Sequence, residues 1–303
     1  MRLPMRGKWI FLAVFAVVAG IVASVAFRKG GARVARSGWP ANMAHRGASA
    51  RAPENTIEAF RIAVESGAGG LEFDVHMTRD GHIVVIHDDT VDRTTDGSGV
   101  VREMTLDEIR ALDAGYRFSP DDGLSHPYRE RGLRVPTLAE VYWSFPEMCV
   151  NIEIKEDQAG VEETVLQVIE DAAAGDRTIV ASGIHTVVDR FRRVSGERIL
   201  TAASRWEIWW FFVFARLHVE SLLRPAYVAL QVPPRHRGIP LVTSRFIAAA
   251  RNRGLRVDVW TINDPSVMRR LLDLGADTIM TDRPEELAEI LRECRSIRRE
   301  SSR

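Results

Sequence analysis

The stretch LEFDVHMTRDGHIVVIHDDT, residues 71–90, reads as two apolar strands around a tight turn, yet Glu72, Asp74, His76 and His87 sit inside those strands. Ionisable groups buried in strands cost free energy unless each is paired or holds a metal. Only Arg79-Asp80-Gly81-His82 separates the two runs, too short for a parallel crossover, which takes about a dozen residues. Asp80-Gly81 predicts a type I′ hairpin turn. Pairing then runs outward from Arg79 with His82, through Thr78 with Ile83, to Asp74 with His87. Directly opposed residues share a face. Glu72 shares the face of Asp74 by the two-residue period of a strand. The hairpin is therefore expected to gather charged groups in one place. His76 lies on the same face, with a structural or outer-site role expected of it.

Outward from this hairpin, strand-like and helix-like runs alternate. Barrel strands are expected at Asn42–Ala44, Leu71–Val75, Val150–Ile154, Thr178–Ala181, Ile199–Ala202, Tyr227–Val232, Leu255–Thr261 and Thr278–Met280. Helical patterns fall between most of them, among them Thr56–Glu65, Val161–Ala173, Thr186–Arg193, Ser244–Arg253, Pro265–Leu274 and Pro284–Glu293. Alternation of this kind argues for parallel strands with crossover helices. Eight such strands predict an α/β fold of the TIM (β/α)8 barrel type. Ile83–His87 is the ninth strand, outside the alternation.

Catalytic groups of such barrels come from the C-terminal ends of several strands. The first strand ends in His45-Arg46-Gly47. NIEIK, residues 151–155, places Glu153 and Lys155 on one face. Val259-Trp260-Thr261-Ile262-Asn263 ends the seventh strand. Glu72, Asp74 and Glu153 make an all-oxygen set suited to a hard divalent cation, Mg²⁺ or Ca²⁺, rather than zinc. His45 and His87 form a potential acid/base pair, and Arg46 and Lys155 suit a phosphate. Lysine occurs only at Lys8, Lys29 and Lys155, so Lys155 is the one lysine of the folded part.

Composition narrows the partners. The chain has 303 residues, 46% hydrophobic and 27% charged, an ordinary globular balance. Its formal net charge is +0, which argues against nucleic acid. Cys149 and Cys294 lack the spacing of a disulfide framework or zinc cluster. Trp9 to Phe27 carries no charge over 19 residues, about enough to cross a bilayer. The expected organisation is a basic flank over 1–8, a transmembrane helix over 9–27, a linker over 28–39, the barrel over 40–293 and a basic tail over 294–303. A cleaved signal peptide is the alternative for 9–27, because Ser24-Val25-Ala26 resembles a cleavage site. Basic residues on the two flanks nearly balance, so orientation stays open.

Taken in order, HRG (45–47), PENT (53–56), Glu72 and Asp74, His87-Asp88, Glu153 and Lys155, VWTIN (259–263) and TDRPEEL (281–287) resemble the glycerophosphodiester phosphodiesterase family. The resemblance covers roughly residues 40–290. It implies a TIM barrel, dependence on a divalent cation, and hydrolysis of glycerophosphodiesters to glycerol 3-phosphate and an alcohol. It implies that Glu72, Asp74 and Glu153 hold the metal, that His45 and His87 are catalytic, and that Arg46 and Lys155 contact the phosphate. Glu54 and Asn55 open the first helix and are read either as helix-start chemistry or as support for the substrate site. Trp260 is read as core or, at a strand end, as a wall of the substrate pocket. Water and the substrate's own hydroxyl both remain open as nucleophile.

Trp206–Phe214 is either a buried crossover helix or an aromatic surface packed into membrane lipid beside the mouth. In the second case a lysophospholipid, cleaved in a phospholipase D manner, is the alternative substrate. A non-catalytic, membrane-tethered lipid or phosphate binder is the remaining class. Arg129, Arg131 and Arg134 of the insertion at 119–137 are expected either to meet headgroups or to face water.

Overall fold

A computed structural model describes residues 38–300. Its strands are β1 (Asn42–His45), β2 (Gly70–Met77), β3 (Ile83–Val85), β4 (Cys149–Ile154), β5 (Thr178–Ala181), β6 (Leu200–Thr201), β7 (Ala229–Val232), β8 (Arg235–His236), β9 (Ile239–Pro240), β10 (Arg256–Val259) and β11 (Thr278–Thr281). The main sheet runs β6-β5-β4-β2-β1-β11-β10-β7, all parallel. A parallel bridge between Ala202 and Ala229 joins its two ends, so eight strands close into the expected barrel. Helices cover its outside. β8 and β9 form a small ribbon after β7.

The helix starts are written locally. Thr56 caps Ile57–Glu65, and Thr137 and Ser204 form capping boxes with Glu140 and Glu207 at the helices Leu138–Ser144 and Arg205–Arg216. Asp264 caps Pro265–Leu274, with proline in the first turn where its missing N–H costs nothing. The helix Pro284–Glu300 ends the described chain. Phe60, Phe73, Ile152 and Phe191 anchor the core behind the β2–β5 half, and Phe211, Phe246, Val257 and Met268 anchor that behind β7–β11. The segment between β3 and Leu138–Ser144 builds its own small core from Val84, Ile86, Val91, Val101, Ile109 and Val135.

The hairpin differs from the expected register by one residue. Met77 pairs with Ile83, His76 with Val84 and Val75 with Val85. A type I′ turn needs positive φ at both central residues, but only Gly81 has it, at +84°. Asp80 instead accepts the Leu106 amide and the Thr78 hydroxyl. The result is a three-residue loop, with the Gly81 amide donating to the Thr78 carbonyl. Asp74 therefore faces Ile86, whose N–H it accepts at 3.0 Å, and His87 follows the end of β3 instead of pairing with Asp74.

The Trp206–Phe214 run lies in the helix Arg205–Arg216, which buries Phe211 and Phe214 but leaves Trp206 and Trp209 about half exposed. In the insertion, Arg129 lies over the Tyr116 ring and donates to the Tyr116 carbonyl, and Arg134 donates to the Arg110 carbonyl. Among the described residues no helix is long and apolar enough to cross a membrane. The expected transmembrane segment, residues 9–27, lies outside them.

Candidate active site

Parallel register brings the site residues together. His45 lies beside Glu72, and Asp74 beside Glu153. Side chains at the C-terminal ends of β1, β2, β4, β5, β6, β7 and β10 line one cavity of about 300 Å³, which holds His45, Arg46, Glu72, Asp74, His87, Glu153, Lys155 and Trp260.

Glu72, Asp74 and Glu153 each offer a carboxylate oxygen, all within 4.8 Å of one another. Burial pushes the Glu72 carboxyl up to about 8, helped by Asp74 and Glu153, against the opposing pull of His45 and Arg46. Its Oε2 is buried without a hydrogen-bond partner. An ionised carboxylate in that position calls for a cation, and three oxygen donors suit a hard divalent ion. The residues present therefore fit such a metal.

Two cations already stand against this cluster. Arg46 Nε is 3.1 Å from Asp74, and its Nη1 donates to Glu54 at 2.9 Å. Lys155 Nζ is 3.3 Å from Asp74 and 3.4 Å from Glu153. Burial lowers the Lys155 ammonium, but Glu153 and Asp74 more than compensate and leave it raised. Arg46 adopts left-handed backbone, φ +56°, and donates its N–H to the Glu72 carbonyl at 2.8 Å. Gly47 follows at φ +87°, where a Cβ would stand 2.7 Å from the Ala59 backbone. His45-Arg46-Gly47 is thus a tight turn that only glycine can complete.

Both histidines are clamped in the same way. His45 Nδ1–H donates to Asp282 at 2.7 Å, leaving Nε2 toward the cavity, 3.4 Å from the Thr261 hydroxyl and 4.0 Å from Glu72. His87 Nδ1–H donates to Asp88 at 2.6 Å, and its Nε2 accepts from Lys155 at 3.3 Å. Ionised carboxylates only accept, which sets the tautomers. Burial would lower His45, but Glu72 and the hydrogen bond to Asp282 outweigh it and hold the imidazole above its ordinary value. Arg93 draws Asp88 down to about 2 and reaches across to Glu54. His76, fully buried, lies 3.2 Å from the His87 carbonyl through Nε2, so it supports the backbone of the site from outside.

Glu54 and Asn55 do not line the cavity. Glu54 bridges Arg46 and Arg93, and Asn55 donates to Asp74 at 3.4 Å. They brace the site from behind through these contacts instead of lining it. Trp260 does line the rim and is 41% exposed. Residue reading missed Asp282, although TDRPEEL contains it. β1 pairs with β11 so that Ala44 faces Thr281, which sets Asp282 beside His45. Asn263 and Ser49 also donate to it, at 2.6 and 2.8 Å. Arg205 and Gln231, further cavity residues, carried no motif signal.

The model of the Glycerophosphoryl diester phosphodiesterase family matches residues 45–286. The chain belongs to this family. A glycerophosphodiester phosphodiesterase of Caldanaerobacter subterraneus is 35% identical over 257 residues, 82% of this chain and 97% of that protein. A crystal structure of the phosphodiesterase family from Agrobacterium tumefaciens superposes with a TM-score of 0.64 at 29% identity, covering 82% of this chain and 98% of that one. An Oleispira antarctica phosphodiesterase, solved with the product sn-glycerol-3-phosphate, shares the fold with a TM-score of 0.64 at 24% identity, over 82% of this chain and 95% of its own.

Proposed function

We propose that this phosphodiesterase-family chain hydrolyses glycerophosphodiesters to glycerol 3-phosphate and an alcohol, using the cavity at the C-terminal end of the barrel. One observation carries the reading: two carboxylate-clamped histidines face a cavity that also holds the Glu72–Asp74–Glu153 cluster, Arg46 and Lys155. Glu72, Asp74 and Glu153 would hold a divalent cation, Mg²⁺ or Ca²⁺, which when bound supplies charge neutralisation at a phosphoryl oxygen. Arg46 and Lys155 hold the remaining phosphate oxygens, each kept in place by carboxylates. Of the two Nε2 atoms, one takes the proton of the attacking hydroxyl and the other returns a proton to the departing alkoxide. Asp282 and Asp88 keep both rings turned toward the cavity. The test is release of glycerol 3-phosphate from a panel of glycerophosphodiesters. Turnover should need a divalent cation and fall by at least ~100-fold in His45→Ala and in His87→Ala. Turnover undiminished by both EDTA and His45→Ala would sink the assignment.

A second reading concerns lipid. Trp206 and Trp209 stack at 6.1 Å on the exposed side of a helix whose Arg205 and Ile208 line the cavity. Aromatic side chains of this kind suit the membrane interface, and the uncharged segment 9–27 would anchor the chain in a membrane. On this reading lysophospholipids are cleaved at the surface. Glycerophosphocholine and lysophosphatidylcholine, compared on the detergent-solubilised full chain, discriminate. Loss of lysolipid turnover alone in Trp206→Ser/Trp209→Ser supports the lipid reading, and an equal loss on both substrates refutes it. Retention of the full chain in a carbonate-washed membrane fraction supports the anchor.

A further inference from the structure

We propose that Arg205 selects diesters whose alcohol carries its own anionic group. Three side chains with permanent positive charge line the cavity: Arg46, Lys155 and Arg205. Arg46 and Lys155 are each bound to two carboxylates. Arg205 forms no hydrogen bond or ion pair with any described residue. It is the one uncompensated cation of the lining among the described residues.

The fold keeps Arg205 away from the reacting centre. It follows β6, which lies four places from β1 in the eight-strand ring, the opposite side from His45. On the phosphodiesterase reading, the scissile phosphate would lie among the cavity residues of β1, β2 and β4. In the proposed mode, a substrate with phosphorus there would extend its leaving alcohol across the mouth, toward β5 and β6. Glycerol has no charge to offer a guanidinium, whereas many alcohols do.

Space for this guanidinium is built in. A Cβ at Gly183 would stand 2.7 Å from Arg205 Nε and 3.0 Å from its Cζ. Gly183 is not among the residues with positive φ, so its backbone does not require glycine. Its smallness instead lets the Arg205 side chain lie against the end of β5, at the cavity wall.

Serine and ethanolamine differ by one carboxylate, so glycerophosphoserine and glycerophosphoethanolamine isolate the effect. The inference rests on the phosphodiesterase reading above. Wild-type enzyme should favour the serine diester in kcat/KM. Arg205→Gln should lower the serine-to-ethanolamine ratio on the order of tenfold, as expected for a lost charge-assisted contact. Gly183→Ala, which displaces the guanidinium, should lower it in the same direction. A ratio unchanged within about twofold in Arg205→Gln overturns the inference. An equal fall on both diesters does so too, because it would place Arg205 on the scissile phosphate. A wild type without preference for serine also refutes it. If wild type turns over neither diester, the phosphodiesterase reading falls and this one with it.

Discussion

At Glu72, burial and ionisation are in conflict, and the conflict has a sign. Its carboxyl sits at about 8 in the metal-free fold against an ordinary 4.5. Between those values the native state binds more protons than the unfolded chain, so stability falls as pH rises through that window. A divalent cation held by the ionised carboxylate reverses the effect. We expect the Tm of metal-free protein to fall from pH 5 to pH 8, and Mg²⁺ or Ca²⁺ to raise Tm more at pH 8 than at pH 5. Glu72→Gln should flatten the fall and remove the ion's effect; a rise that persists in that variant would place the ion elsewhere. His45 offers a second test. Asp282 helps hold its imidazole up, so Asp282→Asn should lower it and reduce kcat. The limb of the pH–rate profile that reports His45 then moves to lower pH, while the other stays. Movement of the acid limb makes His45 the base, and movement of the alkaline limb makes it the acid. If neither limb moves, the His45–Asp282 pair has no electrostatic role.

Two of the local elements that carry the site are the turn after β1 and the segment after β3. Arg93, in the second of them, ties the two together, because it binds Glu54 of the first and Asp88 beside His87. Arg93→Ala should lower Tm only modestly, since Arg93 is half-exposed and each such pair contributes about 1 kcal/mol. It should nevertheless lower kcat several-fold by loosening Asp88 and hence His87. Equal kcat in this variant would show that the clamp on His87 is self-sufficient. Gly47→Ala behaves in the opposite way. Left-handed backbone and a 2.7 Å approach to Ala59 predict a loss of about 1–3 kcal/mol in stability, read as a lower urea midpoint. A midpoint equal to wild type would mean that the turn relaxes freely.

Across the whole barrel, closure is uneven. β2 and β4 pair over six positions, whereas β6 meets β7 through the Ala202–Ala229 bridge and amide bonds such as Ala203 to the Ala229 carbonyl. Fewer ladder bonds leave the seam cheaper to open. Hydrogen exchange should therefore release the amides of Ala203 and Val228, which bond across the seam to Ala229 and Thr201, before those of Phe73 and Ile152. The reverse order would mean that the helix Arg205–Arg216 protects the seam better than the ladder does. Arg205 and the exposed tryptophans follow this seam directly, on the half of the mouth facing away from the metal-ligand candidates.

Much of this was legible in the residue order. Alternating strand and helix patterns, caps such as Thr56 and Asp264, and charged side chains at strand ends are local features, and local sterics and hydrogen bonding determine them. They sufficed for the barrel and for the grouping of Glu72 with Asp74 and of Glu153 with Lys155. The hairpin register was not legible, because Asp80 is drawn to the Leu106 amide by the packing of a later segment. Asp282 was not legible as the partner of His45, because 237 residues separate them and only ring closure makes β1 and β11 neighbours. The bracing role of Glu54 and the unpaired state of Arg205 depend on which charges the closed barrel brings within reach. Strand periodicity acts over a few residues, but Coulombic pairing acts through space, and that space exists only once the ring has closed.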